Sequence, residues 1–287
     1  MGIALNTWGN HTASEVVELA RLAEELGFER VWVGEHVVAP IENVTEHPYQ
    51  AGILRKDQLF YDIWSVLGAI SACTTRIGIG TGIYVLPMRH PLLSAVAAVT
   101  LQSLSKGRFI LGMGAGWKKE EFLALGADFD RRGQYFDEMV DLLRELWKGG
   151  PVTHRGNLYS LPKLSVSHEP VNVPLVFGGG SPAAIRRAAT RGDGWYNPSS
   201  FDLEKCVEVR GQIDEMRRKA GRGTPFSYHL RIGELSRSSV ERARDAGFES
   251  VVVPWTLIQP LGSADLDTQG KLRALRSAAS ELGLRGA

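Results

Sequence analysis

Residues 23–36, AEELGFERVWVGEH, contain the end of a helix, a stop signal and a buried strand. Before them, apolar residues recur near helical spacing, and we expect Ser14 to N-cap that helix. Gly27 ends it, because glycine readily takes the left-handed conformation that terminates helices. The run 30–33 is mostly apolar, as in strands covered on both faces, and it ends at Gly34, Glu35 and His36.

The same strand-then-helix unit recurs along the whole chain. Parallel strands need long crossover connections, and helices supply them. Eight such units favour a closed barrel over an open sheet, so the predicted fold is α/β, a (β/α)8 TIM barrel. The predicted strands are 3–7, 30–33, 77–84, 108–113, 174–177, 194–196, 226–232 and 250–253. The predicted helices are 14–26, 63–72, 91–104, 137–147, 182–190, 203–219, 239–246 and 266–282.

One stretch interrupts this rhythm. Residues 151–173 carry turn residues between short β-like runs, which predicts a hairpin insertion and not a separate domain. A length of 287 residues suits two average domains, but it also suits one barrel. We therefore expect residues 1–287 to form a single barrel domain.

Composition excludes several classes of protein. The formal net charge of +1 gives no reason to expect nucleic acid or a membrane surface as partner. Cys73 and Cys206 do not have the spacing of a metal site, and two cysteines do not make a disulfide framework. Neither a leader segment nor a long apolar span is evident, so we expect a cytoplasmic protein.

Barrel enzymes place their chemistry on the loops that follow the strands. His36 follows the second strand and can move protons near neutral pH, or it can be a structural histidine. The third strand contains glycines that allow close approach to a flat ligand, or that mark a barrel corner. Beyond it, Arg89 and His90 are placed either to bind an anion or to cap the next helix.

Two further glycine-rich segments follow strands. Residues 112–117 are not a dinucleotide fingerprint, because Trp117 stands where the third glycine is required and no helix is expected to follow at once. After the fifth strand, Ser181 and Pro182 are suited to the start of a helix. Free amides and the helix dipole there predict an anion site, with a flexible turn as the alternative.

Several catalytic motifs do not occur in the sequence. It contains neither His-x-His nor His-Glu-x-x-His, which disfavours a metal-dependent hydrolase, and we expect no metal. Neither a Gly-x-Ser-x-Gly elbow nor a Walker loop is found. Serine hydrolases and P-loop enzymes are thereby disfavoured.

Taken together, five segments resemble the luciferase-like monooxygenase superfamily, and within it the branch of coenzyme F-420-dependent oxidoreductases. The resemblance extends from residue 3 to about residue 198 and weakens after residue 201. The segments that carry it are 23–36, 75–82, 86–91, 105–117 and 178–195.

The resemblance implies that a deazaflavin or FMN lies across the strand ends, with its phosphate on the glycine loop of the fifth strand. It implies that His36 faces the cofactor ring and acts as acid or base. It also implies a non-prolyl cis peptide at Gly82–Ile83, and Glu35 stands where many relatives have aspartate. The residues expected to bind the cofactor are Glu35, Thr81, Gly82, Ile83, Gly114, Ala115, Gly116, Trp117, Gly178, Gly179, Gly180 and Ser181.

The leading hypothesis is an oxidoreductase that transfers a hydride between coenzyme F-420 and a small organic substrate. The first alternative is an FMN-dependent two-component monooxygenase supplied by a partner reductase, and the second is a non-catalytic barrel that binds flavin or another ligand. The relatives that oxidise sugar phosphates carry a glutamate near the position of Trp117, and its absence here implies a flatter, more apolar substrate.

Relatives are often dimers, so a homodimer is expected. The candidates for a basic groove that binds the polyglutamate tail of the deazaflavin are Arg55, Lys56, Lys118 and Lys119.

Overall fold

Eight parallel strands close into a barrel in the computed structural model, which describes residues 1–9, 11–39, 45, 58–167, 169–198, 201–223, 225–260 and 265–284. Each strand pairs with the next one in sequence, and the last pairs with the first. The predicted barrel is confirmed. The strands are β1 Gly2–Asn6, β2 Arg30–Gly34, β3 Gly78–Thr81, β4 Phe109–Gly114, β5 Leu175–Gly178, β6 Gly194–Tyr196, β7 Ser227–Arg231 and β8 Ser250–Pro254.

Helices follow the strands and cover the outside of the barrel. No helix among the described residues is long and apolar enough to cross a membrane. The helices are α1 Ala13–Glu25, α2 Ile63–Cys73, α3 Pro91–Leu104, α4 Lys119–Ala124, α5 Arg132–Trp147, α6 Pro182–Arg191, α7 Leu203–Lys219, α8 Arg237–Asp245, α9 Trp255–Ile258 and α10 Thr268–Glu281.

The start of α1 differs from the prediction. Its N-cap is Thr12, whose hydroxyl accepts a hydrogen bond from the amide of Glu15, while the Glu15 carboxylate accepts one from the amide of Thr12. Ser14 lies inside the helix. The reciprocal capping box satisfies two free amides at once, which a serine two residues later does not achieve.

Two short helices are absent from the sequence prediction. The helix α4 starts at Lys119, directly after the glycine-rich segment 112–117, where no helix was expected. It lacks a side-chain N-cap, so no local signal marks its start. The four-residue helix α9 follows β8 in the same way. The position of α4 matters because it carries Glu121, whose carboxylate lies 2.8 Å from a histidine of the cavity described below.

The interior of the barrel is filled by one large side chain. The Trp32 ring lies across the barrel and contacts the rings of Tyr196 and His229, with centroids 5.0 and 4.7 Å away. A Cβ atom at Gly80 would come within 2.6 Å of the Trp32 ring, so glycine is required beside it. Trp32 occupies this part of the interior, and the cavity described below lies at the C-terminal ends of the strands.

His229 lies in the same layer and is held by two hydroxyls. Its Nδ1 and Nε2 are 2.7 and 2.9 Å from the hydroxyls of Ser250 and Ser227. Burial, together with the charge of Arg30, lowers the pKa of His229 to about 3. This histidine is therefore neutral at physiological pH.

The predicted insertion is an antiparallel pair of strands, Val152–Arg155 and Ser160–Leu164. Glu138 of α5 accepts hydrogen bonds from the amides at the tip of this hairpin, including that of Tyr159, and lies 3.1 Å from Nε2 of His154. The hairpin is thereby fixed to the helix that follows the fourth strand.

Candidate active site

A cavity of about 550 Å³ opens at the C-terminal ends of the strands. Its size lies in the ordinary range for sites that bind small molecules and cofactors. Thr81 is the one predicted residue that does not line it: its side chain is buried and its hydroxyl donates to the carbonyl of Gly112. The predicted residues that line the cavity together are Glu35, His36, Gly82, Ile83, Gly114, Ala115, Gly116, Trp117, Gly178, Gly179, Gly180 and Ser181.

His36 is paired with a carboxylate that the sequence analysis missed. Its Nδ1 lies 2.8 Å from Oε2 of Glu121 on α4, and both side chains are almost fully buried. The other Glu121 oxygen accepts a hydrogen bond from the amide of Val37, which fixes the carboxylate. With Nδ1 engaged by Glu121, Nε2 is the nitrogen that His36 can offer to a ligand.

Two tryptophan rings fix the imidazole of His36 in place. Trp8 and Trp117 meet it edge-on, with centroids 4.7 and 5.6 Å away. Trp8 belongs to a two-residue strand, Trp8–Gly9, that pairs with Leu59–Phe60. These two ring contacts restrict rotation of the His36 imidazole.

Glu35 has its carboxylate turned away from a ligand, although the residue lines the cavity. Both of its oxygens accept hydrogen bonds from the guanidinium of Arg89, at 3.1 and 2.7 Å, and one also accepts from the amide of Val85. Burial raises the pKa of the Glu35 carboxyl, and the charge of Arg89 opposes that shift. Glu35 thus positions the chain after β3.

The alternatives for Arg89 and His90 are settled by this geometry. Arg89 pairs with Glu35, and its guanidinium lies 4.8 Å from the centre of the Tyr84 ring. His90 is the N-cap of α3, and its Nδ1 accepts a hydrogen bond from the amide of Leu92. Neither side chain lines the cavity. Of the two alternatives, capping is what the structure shows for His90, whereas Arg89 does not cap the helix and is engaged by Glu35.

The peptide bond between Gly82 and Ile83 is cis, as the family resemblance implies. The Ile83 side chain projects between β4 and β5. A Cβ atom at Gly114 would lie 2.5 Å from Ile83 Cδ1, and one at Gly178 would lie 2.8 Å from it. The glycines of the fourth and fifth strands therefore provide the space that Ile83 occupies on the cavity wall.

The loop after β5 has the form predicted for it. Gly179 has a φ of +115°, and the Ser181 hydroxyl N-caps α6 by accepting a hydrogen bond from the amide of Ala184. The loop lines the cavity, so the first turn of α6 opens onto it. The positive end of a helix dipole at this place favours an anion. Phosphate binding there stays a prediction.

Three residues at the ends of β6 and β7 line the cavity and were missed by the sequence analysis: Tyr196, Asn197 and Arg231. The rule that selected His36 takes residues just past a strand, so it would have found Asn197 but not Tyr196 or Arg231, which are the last residues of β6 and β7. Burial raises the pKa of the Tyr196 hydroxyl to about 12, so it is a donor at neutral pH. The Tyr196 hydroxyl and Arg231 Nε are buried, and neither has a hydrogen-bond partner among the described residues.

The four candidates for the basic groove differ in their positions. Lys118 is 3% exposed and donates a hydrogen bond to the carbonyl of Thr45, so it is not a groove residue. Lys119 is exposed. Arg55 and Lys56 lie outside the described residues. Within the described ranges there is no cluster of three side chains that could hold a metal ion.

The residues that are present fit a flat, polar ring system. Ile83 and Trp117 supply apolar walls, and the two unpartnered donors, Tyr196 and Arg231, match oxygens on such a ring or on a substrate beside it. His36 with Glu121 supplies a group that can hold a proton. The fold and the site therefore suit a barrel enzyme that binds a flat organic cofactor or substrate.

Comparison with known sequences identifies the family. Residues 4–246 match the model of the luciferase-like monooxygenase family. The chain is 28% identical over 264 residues to an uncharacterized protein of Mycobacterium tuberculosis, covering 90% of this chain and 91% of the relative. It is 33% identical over 258 residues to an F-420-dependent glucose-6-phosphate dehydrogenase of Nakamurella multipartita, covering 79% and 72%. The chain belongs to the luciferase-like monooxygenase family and is an oxidoreductase.

Solved structures share the fold. A monooxygenase from Streptomyces bottropensis superimposes with a TM-score of 0.75 at 20% identity, covering 98% of both chains. An F-420-dependent secondary alcohol dehydrogenase, crystallised with an F-420–acetone adduct, gives a TM-score of 0.76 at 18% identity and the same coverage. At these identities the likeness shows the fold alone.

Proposed function

We propose that this oxidoreductase transfers a hydride between coenzyme F-420 and a small organic substrate bound in the cavity of about 550 Å³. The observation that carries the proposal is the buried His36–Glu121 pair at the edge of this cavity, across from the glycine loop of β5. A carboxylate-supported imidazole can give or take the proton that accompanies a hydride. The coenzyme, when bound, supplies the hydride chemistry itself.

The proposed role of each residue follows from its position in the cavity. Nε2 of His36 would take the hydroxyl proton of an alcohol being oxidised, or return a proton to a carbonyl oxygen being reduced. Glu121 would stabilise the positive charge that His36 then carries, because it holds Nδ1 at 2.8 Å. The Gly178–Ser181 loop would hold a phosphate, and Ile83 would contact the ring.

The deazaflavin is favoured over FMN by the closer sequence relatives. The curated relative of Nakamurella multipartita, 33% identical, is F-420-dependent, and so is one of Microbacterium testaceum that is 31% identical over 215 residues. An FMN-dependent two-component monooxygenase is the alternative, because solved structures with the same fold include monooxygenases. A non-catalytic barrel is disfavoured by membership of an oxidoreductase family.

A parallel titration tests the choice of cofactor. The purified protein is titrated with coenzyme F-420 and with FMN, and binding is followed by the fluorescence of each compound. We expect saturable one-to-one binding with at least a tenfold preference for coenzyme F-420 (about 1.4 kcal/mol). A preference for FMN of that size would establish the alternative, and binding of neither compound would refute both.

A substrate panel then tests the reaction. The loaded protein is mixed with small alcohols, aldehydes and enones, and oxidation or reduction of the coenzyme is followed by its absorbance. We expect turnover with some members of the panel and loss of turnover on replacing His36. Binding without turnover on any compound would contradict hydride transfer.

A homodimer and a partner reductase remain predictions. Leu93, Val96 and Leu104 are exposed on one face of α3, which supports the first of them. The reductase is required only if FMN proves to be the cofactor.

A further inference from the structure

The arginines that line the cavity differ in how their side chains are engaged. Arg187 pairs with both carboxylate oxygens of Asp137 at 2.8 and 2.9 Å. Arg132 donates to the carbonyls of Gly116 and Phe129, and its guanidinium stacks on the Phe129 ring at 3.9 Å. These two arginines are used by the protein itself, and they stiffen the cavity wall.

Arg231 has no such partner. Within the described ranges its guanidinium makes no ion pair or hydrogen bond, and its Nε is shielded from solvent. Arg231 is half-buried, and a partly buried cation without a counter-ion is favourably paired with an anionic ligand. The protein therefore leaves one positive charge free at the cavity.

Tyr196 adds a second donor beside this charge. Its hydroxyl is buried and unpartnered within the described part of the chain, and the charge of Arg231 acts on it. The hydroxyl lies close to the chain at Gly82, since a Cβ there would be 3.5 Å from it. Together the two residues present hydrogen-bond donors and a positive charge to the same space.

The position of Arg231 in the barrel assigns this pair to the substrate. Side chains alternate along β7, and His229, which contacts Trp32 inside the barrel, is two residues before Arg231. Arg231 therefore also points inward, at the mouth. In a closed barrel of eight strands, β7 lies opposite β3, which is followed directly by Gly82 and Ile83. A cofactor placed on β3, β4 and β5 leaves the β7 side for the substrate.

The backbone of Arg231 is fixed before any ligand arrives. Asn197 accepts a hydrogen bond from the Arg231 amide at 2.6 Å and donates one to the Arg231 carbonyl at 3.3 Å. Asn197 is itself only 1% exposed. Fixing the backbone reduces the entropy that a ligand must offset on binding.

We propose that Arg231 and Tyr196 form the subsite for a carboxylate or another anionic oxygen of the substrate, which is thus a small organic acid. This rests on the proposed function. It also refines the expectation of an apolar substrate: the ring-facing part can be flat and apolar, while one end carries a negative charge.

The experiment compares a charged probe with a neutral one of the same shape. Benzoate and benzamide are titrated by calorimetry into cofactor-free protein and into protein loaded with coenzyme F-420. The variants are Arg231→Met, Arg231→Lys and Tyr196→Phe. The control is Arg244→Met, at an exposed arginine of α8.

We expect benzoate to bind the parent protein at least roughly tenfold more tightly than benzamide, as a charge-assisted hydrogen bond implies. Arg231→Met should abolish this preference, Tyr196→Phe should reduce it about threefold, and Arg231→Lys should keep part of it. Benzamide and coenzyme F-420 should bind all variants within about twofold of the parent.

Three results would overturn the proposal. They are equal affinity of the parent protein for the two probes, an unchanged benzoate affinity in Arg231→Met, and a loss of coenzyme F-420 affinity in that variant, which would assign Arg231 to the cofactor. If Arg231→Met does not fold, Arg231→Lys and Tyr196→Phe decide by the same comparison. The proposed function can fail separately. In that case the protein does not bind or turn over coenzyme F-420, but the cofactor-free protein still binds benzoate more tightly than benzamide.

Discussion

Two buried histidines, one inside the barrel and one at its mouth, have different hydrogen-bond partners. His229, inside the barrel, is held by the hydroxyls of Ser227 and Ser250, and burial lowers its pKa to about 3. His36, at the mouth, is held by the carboxylate of Glu121. Hydroxyls suit a neutral ring, whereas a carboxylate also stabilises a positive one. The barrel thus holds one histidine in its core with hydroxyl partners and one at its mouth with a carboxylate partner, and the second is the one for which we propose proton transfer.

Replacing the histidine at the mouth should have the largest effect on function. We expect His36→Ala to lower turnover about 100-fold or more, equivalent to about 2.7 kcal/mol, because the proton loses its acceptor. Affinity for coenzyme F-420 should stay within about twofold. Turnover is measured by the absorbance of the coenzyme with a substrate from the panel.

The matched control for that variant is His154→Ala in the hairpin. His154 also pairs with a glutamate, Glu138, at 3.1 Å, but it does not line the cavity. Equal losses of turnover in the two variants would remove the assigned role of His36.

Replacing the histidine in the core should instead affect stability. His229→Leu keeps an apolar shape beside Trp32 but leaves the hydroxyls of Ser227 and Ser250 without their partner. We expect the free energy of unfolding to fall by about 2 kcal/mol, measured by urea denaturation, with coenzyme affinity unchanged. A variant of normal stability that no longer binds the coenzyme would reverse the assignments of the two regions.

The carboxylate of Glu121 should account for part of the functional difference between His36 and His229. Glu121→Gln keeps the shape of the side chain but removes its charge, so a protonated His36 is less stable. We expect about a tenfold loss of turnover (about 1.4 kcal/mol) and an altered pH profile. Glu120→Gln, one residue earlier and bonded to the amide of Thr45, should leave the pH profile unchanged. An identical profile in parent and Glu121→Gln would show that Glu121 only packs.

The smallest effect is a slope of stability with pH. The pKa of His229 is lowered to about 3 in the folded chain from its ordinary 6.5, so the unfolded chain binds the extra proton between these values. Stability therefore falls as the pH drops below about 6.5, by about 1 kcal/mol between pH 6.5 and 5.5. His229→Leu should remove this part of the slope. The same slope in variant and parent would show that other groups, such as His11, cause it.

Much of the fold could be predicted from the sequence because most of the barrel strands are buried on both faces. Apolar runs such as 30–33 and 250–253 need no tertiary information to be recognised. The helix α4 was missed because it is short and lacks a capping side chain. Ser14 was chosen over Thr12 because the reciprocal bonds with Glu15 decide between two plausible caps.

The site was predictable where a residue directly follows a strand, as for His36 and Ser181. Glu121 was missed because it is 85 residues away from His36 in sequence, and only closure of the barrel brings them together. The ion pair between Glu35 and Arg89 could not be predicted either, because it is a tertiary contact between residues 54 positions apart. Tyr196 and Arg231 are the last residues of β6 and β7, and no motif distinguishes this tyrosine and this arginine from structural residues.

The most direct test of the central claim is a crystal structure of the protein with coenzyme F-420. The account predicts one bound molecule whose ring contacts Ile83, whose phosphate is held by the Gly178–Ser181 loop, and whose reactive edge faces His36. Coenzyme bound elsewhere, or contacts to one of these loops without the other, would contradict it.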